Sequence, residues 1–154
     1  MRVARAEEAH LPQIMERWTE LMDMHKEIDP HFVLDPRGRI TFEMHLRSCM
    51  ASEKDILLVA LEKDEVLGYM LAHISKRPPV FEEKTFGEIS DLAVRKDHWR
   101  KGVGERMLKT ALKWFGSKGI SRIEVRTSPK NPVAMAFWQK QGFLDHFHAM
   151  YLEI

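Results

Sequence analysis

The apolar residues near the N-terminus recur at helical spacing. Steps of three and four residues predict an amphipathic helix, whose apolar face is formed by Leu11, Ile14, Met15, Trp18, Leu21 and Met22. Asp29-Pro30 ends this helix, because proline disfavours helical geometry in the residue before it. After a turn at 35–38, a less regular stripe predicts a second helix, which is marked by Phe42, Leu46, Cys49 and Met50.

Continuous apolar runs in the middle of the chain predict strands. The runs 56–61 and 66–74 are separated by the polar residues 62–65, which predicts an antiparallel hairpin. A further strand, 88–94, leads directly into a glycine-rich turn, and a short strand is predicted at 3–5. The first part of the chain is therefore ordered as strand, helix, helix, hairpin and strand.

The C-terminal third is marked by helix stripes and capping residues. A helix that starts at Gly104 has its apolar stripe at Met107, Leu108, Ala111, Leu112 and Phe115. A strand is predicted at 120–127, where apolar and charged residues alternate. Asn131 suits an N-cap, Pro132 the first helical position and Gly142 the residue past the end, so a helix is predicted over 132–141. Residues 143–154 are predicted to form one or two strands.

Length and composition indicate one globular domain spanning residues 1–154. Charged residues make up 31% of the chain and hydrophobic ones 44%, a balance typical of soluble proteins. The net charge of +1 argues against a nucleic-acid-binding protein, whose affinity needs a broad basic surface. The single cysteine, Cys49, excludes an internal disulfide, and no apolar run is long enough to cross a membrane. We therefore expect a cytoplasmic protein without nucleic-acid or membrane partners.

The segment 95–106 combines glycines with a concentration of positive charge. Gly102 and Gly104 allow the backbone to turn sharply and approach a ligand, with consecutive N–H groups pointing at an anion. The cations of this segment are Arg95, Lys96, Arg100, Lys101 and Arg106, and Asp97 is the acid among the first of them. The segment therefore predicts a site for a ligand that carries several phosphate charges.

Two familiar phosphate-binding patterns fit these glycines poorly. A nucleoside-triphosphate loop needs lysine and then serine or threonine, whereas Gly104 is followed by Glu105 and Arg106. A dinucleotide fingerprint needs a third small residue where this chain has Met107.

A third pattern fits both this turn and the later helix. Arg100-Lys-Gly-Val-Gly-Glu-Arg106 follows a predicted strand, and Asn131-Pro-Val-Ala-Met-Ala-Phe-Trp-Gln-Lys-Gln-Gly-Phe143 comes one helix and one strand later. Together the two segments closely resemble the signatures of the GCN5-related N-acetyltransferase (GNAT) superfamily. The resemblance is strongest over 86–143. One position departs from the pattern, because Trp99 stands where the superfamily has glutamine or arginine.

The resemblance implies an α/β domain of the α+β type with three layers. This acyl-CoA N-acyltransferase fold has a central, mixed and splayed sheet of about six or seven strands, flanked by about four helices. Acetyl-CoA is the implied co-substrate, bound between the strands 88–94 and 120–127, and no metal is implied. The implied cofactor-binding residues are Leu92, Ala93, Val94, Arg100, Lys101, Gly102, Val103, Gly104, Glu105, Asn131, Ala134, Phe137 and Trp138.

The resemblance also implies direct attack of an amine on the thioester carbonyl. The Leu92 N–H is the expected donor to the developing oxyanion. Glu88 matches by spacing the glutamate that serves as base in part of the superfamily, and Asp91 is the second candidate. A bulge in this strand would change which of the two faces the cleft. Trp138 occupies the position of a tyrosine that often acts as general acid. An indole cannot do so, and we expect Trp138 to pack against the cofactor.

These features predict the transfer of an acetyl group from acetyl-CoA to a primary amine of a small molecule or peptide. The alternative is a non-catalytic acyl-CoA sensor or binding module, because the usual acid is absent at Trp138. In the superfamily the segment between the first two helices covers the acceptor site, which implies as candidate acceptor contacts Glu27, Asp29, His31 and Phe32. The alternative is that this segment is a solvated loop. Homodimers are common among superfamily members, and a homodimer is compatible with this chain.

Overall fold

One mixed sheet of five strands runs through the molecule, and strands that are adjacent in the sheet are also consecutive in the chain. The computed structural model describes residues 1–154. The strands are β1 (Arg2–Arg5), β2 (Asp55–Glu62), β3 (Glu65–Lys76), β4 (Thr85–Val94) and β5 (Ile123–Val125). The first four strands pair antiparallel, whereas β5 lies parallel to β4.

Four α-helices cover the two faces of this sheet. They are α1 (Leu11–Ile28), α2 (Gly38–Met50), α3 (Val103–Ser117) and α4 (Pro132–Lys140). One core lies between the sheet and α3 with α4, and it contains Phe115 and Trp138. The other lies between the sheet and α1 with α2, and it contains Trp18 and Leu46. The predicted three-layer arrangement is therefore confirmed.

The strands β2 and β3 contribute to both cores, which explains their unbroken apolar sequence. Successive side chains of a strand point to opposite faces of the sheet. In β3, Met70 packs towards α3, whereas Tyr69 and Leu71 pack towards α1 and α2. A strand that is covered on both faces has no exposed side for polar residues. The predicted antiparallel hairpin is confirmed by the pairing of β2 with β3.

The sheet has fewer strands than the expected six or seven. Residues 143–154, predicted as one or two strands, form none, and β5 spans Ile123–Val125 instead of 120–127. A strand needs a neighbouring edge to satisfy its backbone groups, and so short a β5 offers little edge for another strand. The C-terminal segment consequently exposes large apolar side chains, namely Leu144, Phe147, Met150, Tyr151, Leu152 and Ile154.

The helices agree more closely with the expectations. Helix α1 ends at Ile28, directly before Asp29-Pro30, and α4 agrees with the predicted 132–141 to within one residue. Helix α2 begins at Gly38, a full turn before Phe42. None of the helices combines the length and the apolar composition needed to cross a bilayer.

Phe115 packs α3 against the sheet, and its removal tests the larger core. The side chain is fully buried, and a Cβ on Gly87 of β4 would lie 2.6 Å from its ring. We expect Phe115→Ala to lower the free energy of unfolding by about 3–5 kcal/mol, because loss of the ring leaves a cavity. Lys113→Ala, exposed on the same helix, should change it by less than about 0.5 kcal/mol. Urea denaturation measures both values, and equal effects would contradict this description of the core.

Candidate active site

Strand β4 loses its neighbour on one side after Ile89. It pairs with β5 only through Gly87, Glu88 and Ile89, whereas its pairing with β3 continues to Val94. Residues 90–94 therefore present an unpaired edge. The two parallel strands part at this point, which confirms the expected splayed sheet and opens a wedge between β4 and the chain after β5.

The hydrogen-bonding pattern shows which backbone groups of β4 face the wedge. The Arg95 N–H donates to the Leu67 carbonyl at 2.8 Å, so this residue pair is hydrogen-bonded across the ladder. In an antiparallel ladder hydrogen-bonded and non-hydrogen-bonded pairs alternate. Ala93 therefore bonds to β3, whereas Leu92 and Val94 direct their N–H and C=O groups to the unpaired edge. The Leu92 N–H, which the resemblance implies as the oxyanion donor, is therefore one of the free groups of this edge.

Trp99 covers part of this edge. Its indole N–H donates to the Val94 carbonyl at 2.6 Å, and the side chain remains partly exposed. One acceptor of the edge is thereby occupied, while the Val94 N–H and both backbone groups of Leu92 stay available. Trp99, the residue at which the chain departs from the superfamily pattern, thus binds the edge of β4 directly.

The glycine-rich turn has the backbone shape of an anion site. Arg100 and Gly102 have positive φ angles of 61° and 78°, and such turns bring successive N–H groups to one side. The first intrahelical bond of α3 runs from the Arg106 N–H to the Gly102 carbonyl at 3.0 Å. The N–H groups of Val103, Gly104 and Glu105 precede it and have no side-chain cap. Together with the helix dipole they favour negative charge.

The cations around this turn are not equivalent. Arg95 binds Asp97 at 2.7 Å and Glu65 at 3.0 Å, and its guanidinium holds the pKa of the Asp97 carboxyl well below the usual range. Arg95 is therefore neutralised. The other four cations of the segment form no ion pair and are exposed, namely Lys96, Arg100, Lys101 and Arg106. Arg100 and Lys101 lie directly before α3.

Helix α4 packs against the start of α3. A Cβ on Gly104 would lie 3.2 Å from the Phe137 ring, which is a tight contact, and 3.6 Å from a Leu92 methyl group. The Asn131 Oδ1 accepts from the Ala134 N–H at 3.1 Å, which confirms the predicted N-cap. These contacts place the predicted cofactor residues of α4 beside the wedge.

Trp138 is one of the predicted cofactor residues, and its contact with the cofactor stays a prediction. It is buried in the core, with ring centroids 4.9 Å from Phe137 and 5.1 Å from Phe143. Its aromatic neighbours already cover the indole, so its observed role is packing between α4 and the sheet.

A bulge in β4 decides which polar side chains share a face. Ile89 pairs with Ala72 and Asp91 with Leu71, so Ser90 is the extra residue between them. Glu88 consequently shares the face of Asp91, the face covered by α1 and α2. Both predicted bases lie on this side of the sheet, whereas Leu92 and Val94 contact the α3 core.

Asp91 is the more buried of the two carboxylates. Burial raises the pKa of its carboxyl, opposed by the Tyr69 hydroxyl, which donates to Oδ2 at 3.3 Å. Burial also raises the pKa of the Tyr69 hydroxyl itself. Glu88 is half-buried and stands opposite His73 of β3. The two acids thus offer one accessible and one enclosed negative charge.

A chain of hydrogen bonds beside Glu88 was not foreseen from the sequence. The His73 Nδ1 lies 2.6 Å from the Asp55 Oδ1, and its Nε2 lies 2.9 Å from the Ser90 Oγ. Asp55 and His73 face each other across the β2–β3 hairpin. Extending the predicted hairpin pairing outwards from 62–65 places Asp55 beside His73 to within one residue. The contact with Ser90 depends on the bulge, which no local pattern indicates.

Cys49 of α2 lies on the far side of this chain. Its Sγ is 3.5 Å from the His45 Nε2, and donor atoms of Cys49, Asp55 and His73 lie within 4.8 Å of one another. Burial, with the nearby charges of Asp55 and Asp91, raises the pKa of the thiol to about 11. Cys49 is therefore a protonated thiol at neutral pH.

The fold and the site define an acyl-CoA N-acyltransferase architecture. The model of the acetyltransferase (GNAT) family matches residues 18–143, and the chain belongs to this family. The match covers the wedge, the glycine-rich turn and α4.

Individual relatives agree with this assignment. Over 97 residues the chain is 28% identical to N-acetyltransferase family 8 member 3 of Rattus norvegicus, a match covering 63% of this chain and 42% of the relative. The chain spans about half the length, or less, of the curated relatives it matches. In structure it is similar to a tetramutant of the BH1408 protein of Bacillus halodurans (TM-score 0.90, 18% identity, all of both chains). It is also similar to the aminoglycoside N-acetyltransferase AAC(6')-Iy in complex with CoA (TM-score 0.75, 14% identity, 99% of this chain and 98% of the other).

The raised pKa of Asp91 predicts a pH-dependent effect on stability. Because the native state binds this proton more tightly than the unfolded state does, ionisation of Asp91 lowers stability as pH rises above the ordinary carboxyl pKa of about 4. We expect Asp91→Asn to raise the free energy of unfolding at pH 7, and the gain to disappear below about pH 4. Urea denaturation across this range measures it. Asp97→Asn, where the native pKa is lowered, should bring no gain, and a gain at Asp91 that is independent of pH would contradict the prediction.

Proposed function

We propose that this protein transfers an acetyl group from acetyl-CoA to a primary amine of a small molecule or peptide. The observation that carries the proposal is the unpaired edge of β4 at Leu92 and Val94, which leads directly into the uncapped start of α3. Membership of the GNAT family and the likeness to a neighbour solved with CoA support the choice of donor.

The cofactor is proposed to lie along the wedge. The pantetheine arm has amide groups that suit the free backbone groups of Leu92 and the Val94 N–H. The pyrophosphate suits the N–H groups of 103–105, with Arg100 and Lys101 beside them. Ala93 lies between the two edge residues and bonds to β3, so it contributes through position alone. Asn131, Ala134 and Phe137 form the wall opposite the edge.

The reacting groups are proposed to meet where β4 and β5 part. The Leu92 N–H donates to the oxyanion that forms on the thioester carbonyl. Glu88 and Asp91 supply negative charge on the side that faces α1 and α2, which favours a cationic amine. An ammonium loses one proton before attack, and its nitrogen loses a second during transfer. Because the Trp138 indole cannot act as an acid, we assign this second proton to the departing thiolate.

A non-catalytic acyl-CoA sensor is the alternative function. The observation that favours it is the buried indole of Trp138 at the position of the usual acid. Release of CoA in the presence of an amine would exclude it, because a sensor binds the thioester without turnover.

Ligand-induced thermal stabilisation tests the donor site. Acetyl-CoA and free CoA at about 100 times their dissociation constants should each add about 2.7 kcal/mol, or roughly 5–10 °C for a domain of this size, whereas NAD and ATP should not. Arg100→Ala combined with Lys101→Ala should reduce the shift, and Lys113→Ala should preserve it. The absence of a shift with both CoA species would contradict the proposed cofactor.

Glu88→Gln tests the acceptor side independently of the cofactor. Thiol release from acetyl-CoA is measured against a panel of aminoglycosides, polyamines and short peptides. For any amine that is turned over, we expect kcat/KM to fall by at least about tenfold, because the charge that attracts the amine is removed. The dissociation constant of CoA should remain nearly unchanged. A loss of CoA binding would instead assign Glu88 a structural role.

A further inference from the structure

Asp55, His73 and Ser90 form a continuous polar chain that ends at Ser90, the exposed bulge residue of β4. We propose that these three residues are a proton relay that takes the first proton from the acceptor ammonium. This inference rests on the proposed acetyl transfer and assigns its base to His73 instead of to either strand carboxylate.

The geometry selects one tautomer of His73. An ionised Asp55 carboxylate only accepts hydrogen bonds, so the His73 Nδ1 at 2.6 Å from Oδ1 must carry the proton. In the neutral imidazole, Nε2 is then an acceptor, directed at the Ser90 Oγ at 2.9 Å. The Ser90 hydroxyl donates to it, since its other neighbour, the Leu71 carbonyl, is farther away at 3.3 Å. All three groups are thus oriented for transfer from Ser90 towards Asp55.

The position of Ser90 connects this chain to the reacting atoms. Ser90 is the bulge residue of β4, and it follows the last residue pair that β4 forms with β5, Ile89 with Val125. Ser90 is exposed, and it lies two residues before Leu92, the proposed oxyanion donor. Bulges re-aim side chains next to active sites. In the proposed relay, an amine that approaches a thioester at the Leu92 N–H passes the Ser90 hydroxyl.

His73 and Asp55 are both more buried than Ser90. The side chains of His73 and Asp55 are 17% and 20% exposed, and α2 covers them with His45 and Cys49. The Asp55 carboxylate lies against the His73 ring inside this partly buried site, where it can accept the Nδ1 proton. Cys49 remains a neutral thiol and does not compete for the proton.

The proposed step balances in atoms and charge. The acceptor ammonium gives one proton to the Ser90 Oγ as the Ser90 hydroxyl proton passes to the His73 Nε2. The neutral amine attacks the carbonyl carbon, a C–N bond forms and the C–S bond breaks. The second amine proton goes to the departing thiolate, which yields the amide and free CoA. The imidazolium, held by Asp55, later releases its proton to solvent.

The relay and Glu88 have separable kinetic signatures. A group that moves the proton acts in the transition state and affects kcat, whereas a group that only attracts the ammonium affects KM. We expect His73→Gln to lower kcat by about 10²–10⁴-fold with little change in KM. Glu88→Gln should mainly raise KM.

A double-mutant cycle in the complete chain tests whether the residues act as one unit. With an amine identified in the panel, Ser90→Ala should lower kcat at least about tenfold, and Asp55→Asn should lower it through loss of the tautomer. The double variant Ser90→Ala with His73→Gln should be no slower than His73→Gln alone, within about twofold, because one broken link stops the relay. Added imidazole should restore part of the kcat of His73→Gly. The thermal shift with CoA confirms that each variant is folded.

Four results would overturn the relay while leaving acetyl transfer intact. These are an unchanged kcat in His73→Gln, multiplicative losses in the double variant, loss of kcat on chelator treatment of the wild type, and an acetylated Ser90 found by peptide mass spectrometry. The third would assign Cys49, Asp55 and His73 to a metal ion, and the fourth would make Ser90 a nucleophile. If the wild type neither binds CoA nor turns over any amine, the proposed function itself fails.

Discussion

The parting of β4 from β5 after Ile89 is the constraint on which the site depends. Parallel pairing over Gly87, Glu88 and Ile89 brings the two strands together, and its early end leaves backbone groups of Leu92 and Val94 without a strand partner. Unpaired groups in the middle of a domain need water or a ligand to satisfy them. The packing of Phe115 under Gly87 holds the paired part in place. The early end of the β4–β5 pairing thus removes hydrogen bonds from the sheet and leaves a backbone edge that suits an extended ligand.

The two faces of β4 carry groups of different chemistry. The α3 face and the turn before it concentrate backbone donors and the cations Arg100 and Lys101, which suit a phosphorylated cofactor. The opposite face collects carboxylates, histidines and the Tyr69 hydroxyl under α1 and α2, which suits a cationic acceptor. The bulge at Ser90 shifts the alternation of side chains along β4 by one residue. Residues before and after it therefore follow different registers on the two faces. On the face under α1 and α2, burial raises the pKa of the Asp91 carboxyl.

Much of the fold followed from local signals. Helical spacing located α1 and α3, the cap at Asn131 located α4, and the polar break at 62–65 located the hairpin. The failure at 143–154 has a physical cause: a strand exists only if a neighbouring edge accepts its hydrogen bonds, and apolar composition does not supply one. The contacts of Trp138 with Phe137 and Phe143 bury its indole in the core, and its predicted contact with the cofactor stays a prediction.

The sequence by itself determined the order of elements as far as α4, the glycine-rich turn and the family, since these depend on residues that are close in the chain or on motifs of definite spacing. Only the tertiary structure decided that Arg95 is neutralised by Glu65 and Asp97, and that Trp99 binds the edge of β4. It also brought Asp55, His73 and Ser90 into one chain of hydrogen bonds. Those contacts depend on strand register and on a single bulge, and a shift of one residue would turn each side chain to the other face.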